Sequence, residues 1–188
     1  LSAGSYSTSE EEEKTIPVAV ENTFHEYLEE QLGLIELTDE KEEAIAHQII
    51  GSIDEDGYLR REPIAIIDDL MFSQNLFVSE EEVEEVFKKI QDFDPPGTAA
   101  RDLRECLLIQ LENKIEQQEE ELPQEELETL LLARDIIRDY FDEFSKKHFQ
   151  KLIRQFDIDE DSLKDAMDVI LKLNPKPASG YSTSGSRS

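Results

Sequence analysis

Apolar residues along this chain recur at intervals of three and four, separated by charged stretches, and this spacing predicts helices throughout. Phe24, Leu28 and Leu32 form the first stripe, over roughly 23–32, with Thr23 as its cap and Gly33 as its stop. A second helix is expected at about 39–50, capped by Thr38 and ended by Gly51. There Asp39 and Glu40 suit the positive end of the helix dipole, and Ile45 and Ile49 make the stripe, with Ala46 and Ile50 beside them. Pro63 opens a third, short helix expected to bury Ile64, Ile67 and Met71. Ser79 and Glu82 spell a capping box, and Val83, Val86, Phe87 and Ile90 follow it at helical spacing. A long helix over about 99–117, capped by Thr98, puts Leu103, Leu107 and Leu111 on one stripe with Cys106 at its edge. Helices at about 124–143, 146–155 and 160–173 complete the series, and Pro175 and Pro177 terminate the last. The first of these three uses Leu127, Leu130, Leu131, Ile137, Tyr140 and Phe141. The expected fold class is all-α.

The breaks in the pattern suggest the organisation. At Asp94–Pro95–Pro96–Gly97 two prolines restrict the residues before them and remove backbone donors, and Gly97 permits a turn other residues resist. The turn reverses the chain and launches the long helix. A second break, "EQQEEELPQEE" at 116–126, is expected to separate an N-terminal helical subdomain (23–117) from a C-terminal one (118–177). Residues 1–22, with the acidic run Glu10–Glu13, are expected to be a disordered linker, and 178–188 a flexible tail.

Charge then narrows the function. Against 19 Lys and Arg stand 46 Asp and Glu, a formal net charge of −27. Such a body repels nucleic acid, whose affinity rests on phosphate neutralisation by cations, and suits basic protein surfaces. Solubility alone is the plainer explanation. Cys106 is the single cysteine, so no intrachain disulfide forms and a reducing, cytoplasmic home is expected. No apolar run approaches the length of a membrane span. The chain opens on Leu1 without a signal peptide, and a monomeric piece of a longer protein is expected.

Candidate chemistry is sparse. "IDEDGYL" (53–59) has the look of a calcium loop. With Gly57 at its sixth position, however, Ser52 and Pro63 fall where the first and last carboxylate ligands belong. The alternative is an Asx-type turn of Asp54, Asp56 and Gly57 with Tyr58 tucked onto the core. "HEYLE" (25–29) lacks the second histidine of a zinc-protease helix, and His47 and His148 are scattered. Cys106 reads as a small buried thiol, and no phosphate-cradling glycine loop occurs. No enzyme, cofactor or metal is expected. Residues 146–173 outline a helix-turn-helix, but Asp157, Asp159, Glu160, Asp161, Asp165 and Asp168 surround one Lys164. That favours a protein partner over DNA. A plain helical hairpin is the alternative.

"DPPGTAARDLRECLLIQL" resembles the signature of the sigma-54 family of bacterial RNA polymerase sigma factors, in its core-binding domain. The matching residues are Asp94, Pro95, Gly97, Ala100, Arg101, Leu103, Glu105, Leu107, Gln110 and Leu111, with Pro96 and Arg104 inside the stretch. Family members more often have Val-Gly where this chain has Thr98–Ala99. "YLEEQLGL" (27–34), "IIGSIDEDGYL" (49–59), "VEEVFKKIQDFDPPG" (83–97) and "ILKLNPKP" (170–177) are similar to other family segments in the same order, so the resemblance covers about 24–177. It implies an all-helical, two-subdomain, noncatalytic module that docks on core RNA polymerase, notably on the flap of the β subunit, with β′ as a second candidate. It implies an isolated core-binding domain, without the family's activator-responsive and promoter-reading regions. Arg101 would brace the turn through nearby carboxylates or contact polymerase directly. An acidic helical scaffold that binds some other basic protein is the competing reading.

Overall fold

A computed structural model describes residues 22–182. Among them are nine helices and no strand: α1 (Phe24–Leu32), α2 (Glu40–Ser52), α3 (Pro63–Gln74), α4 (Glu80–Gln91), α5 (Leu103–Gln118), α6 (Gln124–Asp139), α7 (Phe141–Ser145), α8 (Phe149–Phe156) and α9 (Glu160–Leu171). The all-α expectation holds. The disorder expected for 1–21 and 183–188 lies outside the described residues.

Where a helix has one apolar face and an unambiguous cap, sequence and structure coincide. In α1 the Thr23 hydroxyl accepts from the Glu26 amide while Glu26 reaches back to the Thr23 amide, and Phe24, Leu28 and Leu32 are buried. Ser79 and Glu82 cap α4 in the same reciprocal way, above Val83, Val86, Phe87 and Ile90. The cap of α2 is Asp39 rather than Thr38: its carboxylate accepts from the Glu42 amide, and the helix runs through Gly51 to Ser52. In α3 the buried residues are Ile66 and Leu70, with Ile64 60% exposed and Phe72 81% exposed. Apolar residues surround this helix on every side, so its spacing carries no phase from which to choose the inner face.

Contacts divide the described residues into two compact units, one of 22–93 with 178–182, the other of Asp94–Pro177. This differs from the expected division near 117. In the first unit α2 packs against α1, α3 and α4, and α3 against α4. Its core includes Leu28, Ile45, Ile49, Ile66, Leu70 and Ile90. Residues 178–182, expected to be tail, belong to this unit. The Ala178 amide donates to the Asp56 carbonyl (3.2 Å), the Ser182 amide to the Asn22 carbonyl (3.2 Å), and Thr23 and Ser182 form an isolated parallel bridge. Tyr181 stacks on Tyr27 (5.7 Å) and meets the edge of Phe24 (5.4 Å). A tyrosine ring supplies apolar area that a Ser/Gly tail otherwise lacks.

The second unit is built on α5 and α6. Leu107, Leu111 and Ile115 share one core with Leu130, Ala133, Ile136 and Ile137, with Leu152 of α8, and with Leu163, Ala166 and Ile170 of α9. The break at 116–126 is therefore a turn inside a unit. Tyr140 (φ −132°, ψ 34°) leaves helical geometry and splits the helix expected over 124–143 into α6 and α7. The helix-turn-helix outline is present as α8 and α9, joined through Asp157 in the left-handed conformation (φ 55°).

Candidate functional site

The segment singled out by its sequence, Asp94–Leu111, opens the second unit. Its Asp94–Pro95 peptide is cis. The Pro95 carbonyl accepts twice from Thr98, from the hydroxyl at 2.6 Å and from the amide at 3.2 Å. Thr98 is thus occupied inside the turn and does not cap α5. Asp102 does so instead: its carboxylate accepts from the Glu105 amide (2.8 Å), and the Glu105 carboxylate reaches back to the Arg101 amide (2.7 Å). The helix accordingly starts later than expected. Leu103 occupies its first position, 42% exposed, and the buried stripe becomes Cys106, Leu107, Gln110, Leu111 and Ile115.

Gly97 adopts φ +99°, a conformation that side chains rarely take. It also lies so close to α5 that an added Cβ would sit 2.9 Å from Cys106 Sγ and 3.1 Å from Gln110 Nε2. Ala99 also takes a left-handed backbone, at φ +65°, which costs a residue with a Cβ more than it costs glycine. Ala99 and Ala100 are fully buried.

Gln110 holds the other end of the unit. Its Oε1 accepts from the Asn174 amide (2.9 Å), and its Nε2 donates to the Asn174 carbonyl (2.6 Å) while lying 3.3 Å from Cys106 Sγ. One side-chain amide thereby satisfies both backbone groups of a residue in the "LNPKP" exit, where the chain leaves helical structure and those groups need partners. The signature and the exit are separated by more than sixty positions, and this pair joins them. A glutamine among leucines on a buried stripe was the available signal, because a buried amide requires partners. The sequence reading missed this role.

The two arginines separate in role. Arg104 Nη1 donates to the Arg138 carbonyl (3.1 Å) in the last turn of α6, where a cation also suits the negative end of the dipole. There Arg138 pairs with Asp139 (2.8 Å) and Asp135 (3.2 Å). The hydrogen bond from Arg138 holds the Asp139 carboxyl below its ordinary range, with Arg104 and Arg134 adding to the effect. Arg101 is exposed, as are Asp94 and Asp102, while Pro95 and Pro96 are half-buried.

The "IDEDGYL" stretch folds as the turn alternative. Asp54 Oδ1 accepts from the amides of Asp56, Gly57 and Tyr58 (3.0, 3.0 and 2.9 Å), and Gly57 takes φ +103°. The Tyr58 ring is buried and carries the Arg60 guanidinium 4.4 Å from its centroid. Asp54 thus spends one oxygen on its own loop, with Arg60 3.4 Å from the other. Among the described residues no cluster of three or more His, Cys, Asp or Glu could hold a metal ion, and no helix is long and apolar enough to cross a membrane.

Fold and site together define a class: an all-helical module in two units, whose most distinctive segment is an internal junction rather than a reaction centre. Residues 15–188 match the family model for the sigma-54 factor, core binding domain, and the chain belongs to that family. It is 41% identical over 154 residues to an RNA polymerase sigma-54 factor of Shewanella violacea, covering 82% of this chain and 29% of that protein. It is 38% identical over 161 residues to the RNA polymerase sigma-54 factor of Escherichia coli K12 (86% and 31%), and 33% identical over 181 residues to that of Azotobacter vinelandii (95% and 33%). The chain therefore spans about a third or less of the length of these relatives.

Proposed function

We propose that this chain is the part of a sigma-54-type initiation factor that docks on core RNA polymerase without catalysing a reaction. The observation that carries this reading is the match of residues 15–188 to the family's core-binding domain. The charge of −27 supports it, because an acidic module is drawn to basic protein surfaces and kept off DNA. The flap of the β subunit is the proposed receiving surface, on the strength of the sequence resemblance. Within this reading the signature acts as a scaffold. Gly97, Gln110, Leu107 and Leu111 hold the second unit together, and Arg104 braces the end of α6. Leu103, 42% exposed at the start of α5, is the apolar signature side chain that reaches solvent.

Co-elution with sigma-free core polymerase, at low and high salt, tests the reading. Binding that weakens with salt and is lost to excess housekeeping sigma factor is expected, and a core enzyme lacking the flap should bind poorly. Absence of binding at micromolar concentration, by the chain and by a full-length factor containing it, would refute it. Capture of a different basic protein would then favour the acidic scaffold.

A further inference from the structure

The second unit carries an open groove of about 590 Å³ between the outward face of α6 and the turn from α8 to α9. Its floor is apolar: Leu131 and Leu132 of α6, Phe156 at the end of α8, and Ile158 in the turn. All four pack against the unit's core from one side and remain partly exposed on the other. The walls are acidic. Glu125, Glu128 and Asp135 recur along α6 at spacings of three and seven, which puts them on one side of the helix, and Asp165 of α9 stands among the lining residues from the other element. Among the described residues no lysine, arginine or histidine lines the groove.

Among the described residues Asp135 is the one lining carboxylate with an ion pair. Asp135 is balanced by Arg134 (2.7 Å) and Arg138 (3.2 Å). Glu128 accepts a hydrogen bond from the neutral Gln124 amide (3.2 Å), which leaves its charge in place. A neighbouring depression of about 370 Å³ shares Glu126, Thr129 and Asp165 with this groove but is lined by Lys114 and Lys172 as well. Carboxylates outnumber cations in both, but in the smaller one two lysines face Glu126, Asp165 and Asp168, whereas the larger groove is lined by carboxylates without a cation among the described residues.

We infer that this groove receives a basic segment of a partner protein, with apolar side chains seated on Leu131, Leu132, Phe156 and Ile158 and with Lys or Arg side chains against Glu125, Glu128 and Asp165. Charge complementarity selects that occupant. A second copy of this chain brings another acidic surface, and nucleic acid brings phosphates, so both are repelled. An apolar floor ringed by carboxylates supplies anchoring area at the centre and steering charge at the edge. The inference rests on the function proposed above, in that the segment is taken to belong to core RNA polymerase.

The test is equilibrium binding of the chain, labelled at its N-terminus, to sigma-free core polymerase. The double variant Glu128→Lys with Asp165→Lys reverses two groove charges. Glu81→Lys with Glu85→Lys makes the same net change at two exposed positions on α4, in the other unit. Groove reversal should weaken binding about tenfold or more, and the control by less than about threefold. Equal losses would mean long-range attraction alone and would overturn the groove, as would unchanged binding by the groove variant. Thermal melts report folding, and where the lysines unfold the unit, E128Q with D165N replaces them under the same criteria. Failure of both the unaltered chain and a full-length factor containing it to bind polymerase would overturn the proposed function and this assignment together. Normal binding with an indifferent groove would overturn the assignment only.

Discussion

Replacing Gly97 by alanine is the sharpest test of the junction. At φ +99° a side chain costs about 1–3 kcal/mol in backbone strain. The new methyl would also meet Cys106 Sγ at 2.9 Å and Gln110 Nε2 at 3.1 Å. Neither neighbour has an easy retreat: Cys106 is fully buried, and the Gln110 amide is held on both sides by Asn174. Overpacking of this kind typically costs a further 1–3 kcal/mol or so. The lower entropy of the unfolded chain returns about 0.4–1 kcal/mol. The net expectation is a loss of about 2–4 kcal/mol, confined to the second unit. A domain of under a hundred residues shifts by about 4–8 °C per kcal/mol, so its transition should fall by roughly 10 °C or more. The assay is urea or thermal unfolding followed by the reactivity of Cys106, the one thiol, which is buried in that unit. Gly51→Ala, in the first unit and so read by loss of helical circular dichroism rather than by Cys106, is the contrast. That glycine lies within α2 with nothing within 4 Å of its added Cβ, so the same substitution should stabilise by about 0.5–1 kcal/mol. If Gly97→Ala unfolds like the unaltered protein, the positive φ and the close approach are both wrong.

Two further substitutions probe the polar anchors. Gln110→Leu keeps the volume but removes both hydrogen bonds to the Asn174 backbone, and should cost about 1–3 kcal/mol in the same unfolding assay; a loss below about 0.5 kcal/mol would show that the clamp contributes little. Glu82 is held below its ordinary range, first by the hydrogen bond from the Ser79 amide and further by Lys41. Such a depressed carboxyl contributes stability above its unfolded value near 4.5 and loses it as the pH falls through the lower folded value. Unaltered protein should therefore be more stable than Glu82→Gln at pH 7, and the difference should vanish well below pH 4.5. A difference that persists in acid would place its origin in something other than the charge.

The parts legible in the sequence were those decided within one or two turns of chain. α1 and α4 have one apolar face each and a cap whose partner lies three residues away, so spacing and chemistry agree. In α3 the apolar residues surround the axis, and only packing chose Ile66 and Leu70 for the inside. The start of α5 was misplaced because Thr98 and Asp102 are both competent caps, and the Pro95 carbonyl had already taken the first. The boundary between units was harder still. A charged break shows where a helix stops, not which helices share a core. The packing of Leu111 with Ile136 and Ile137 is a long-range fact. The same limit applied at the signature, whose residues were legible as a group. That Gln110 grips Asn174 depends on a chain reversal that no local pattern encodes.

The pairing of Thr23 with Ser182 has a mechanical consequence. The two backbones run parallel there, so a pull on Asn22 toward the N-terminus and on Ser182 toward the C-terminus acts along them in opposite senses. Tension along the polypeptide would load that crossing in shear. The bridge and the rings of Phe24, Tyr27 and Tyr181 would bear it first, and the helices between would be bypassed while the crossing held. Some 160 residues of folded chain are thus hung on a through-line that can carry force past them.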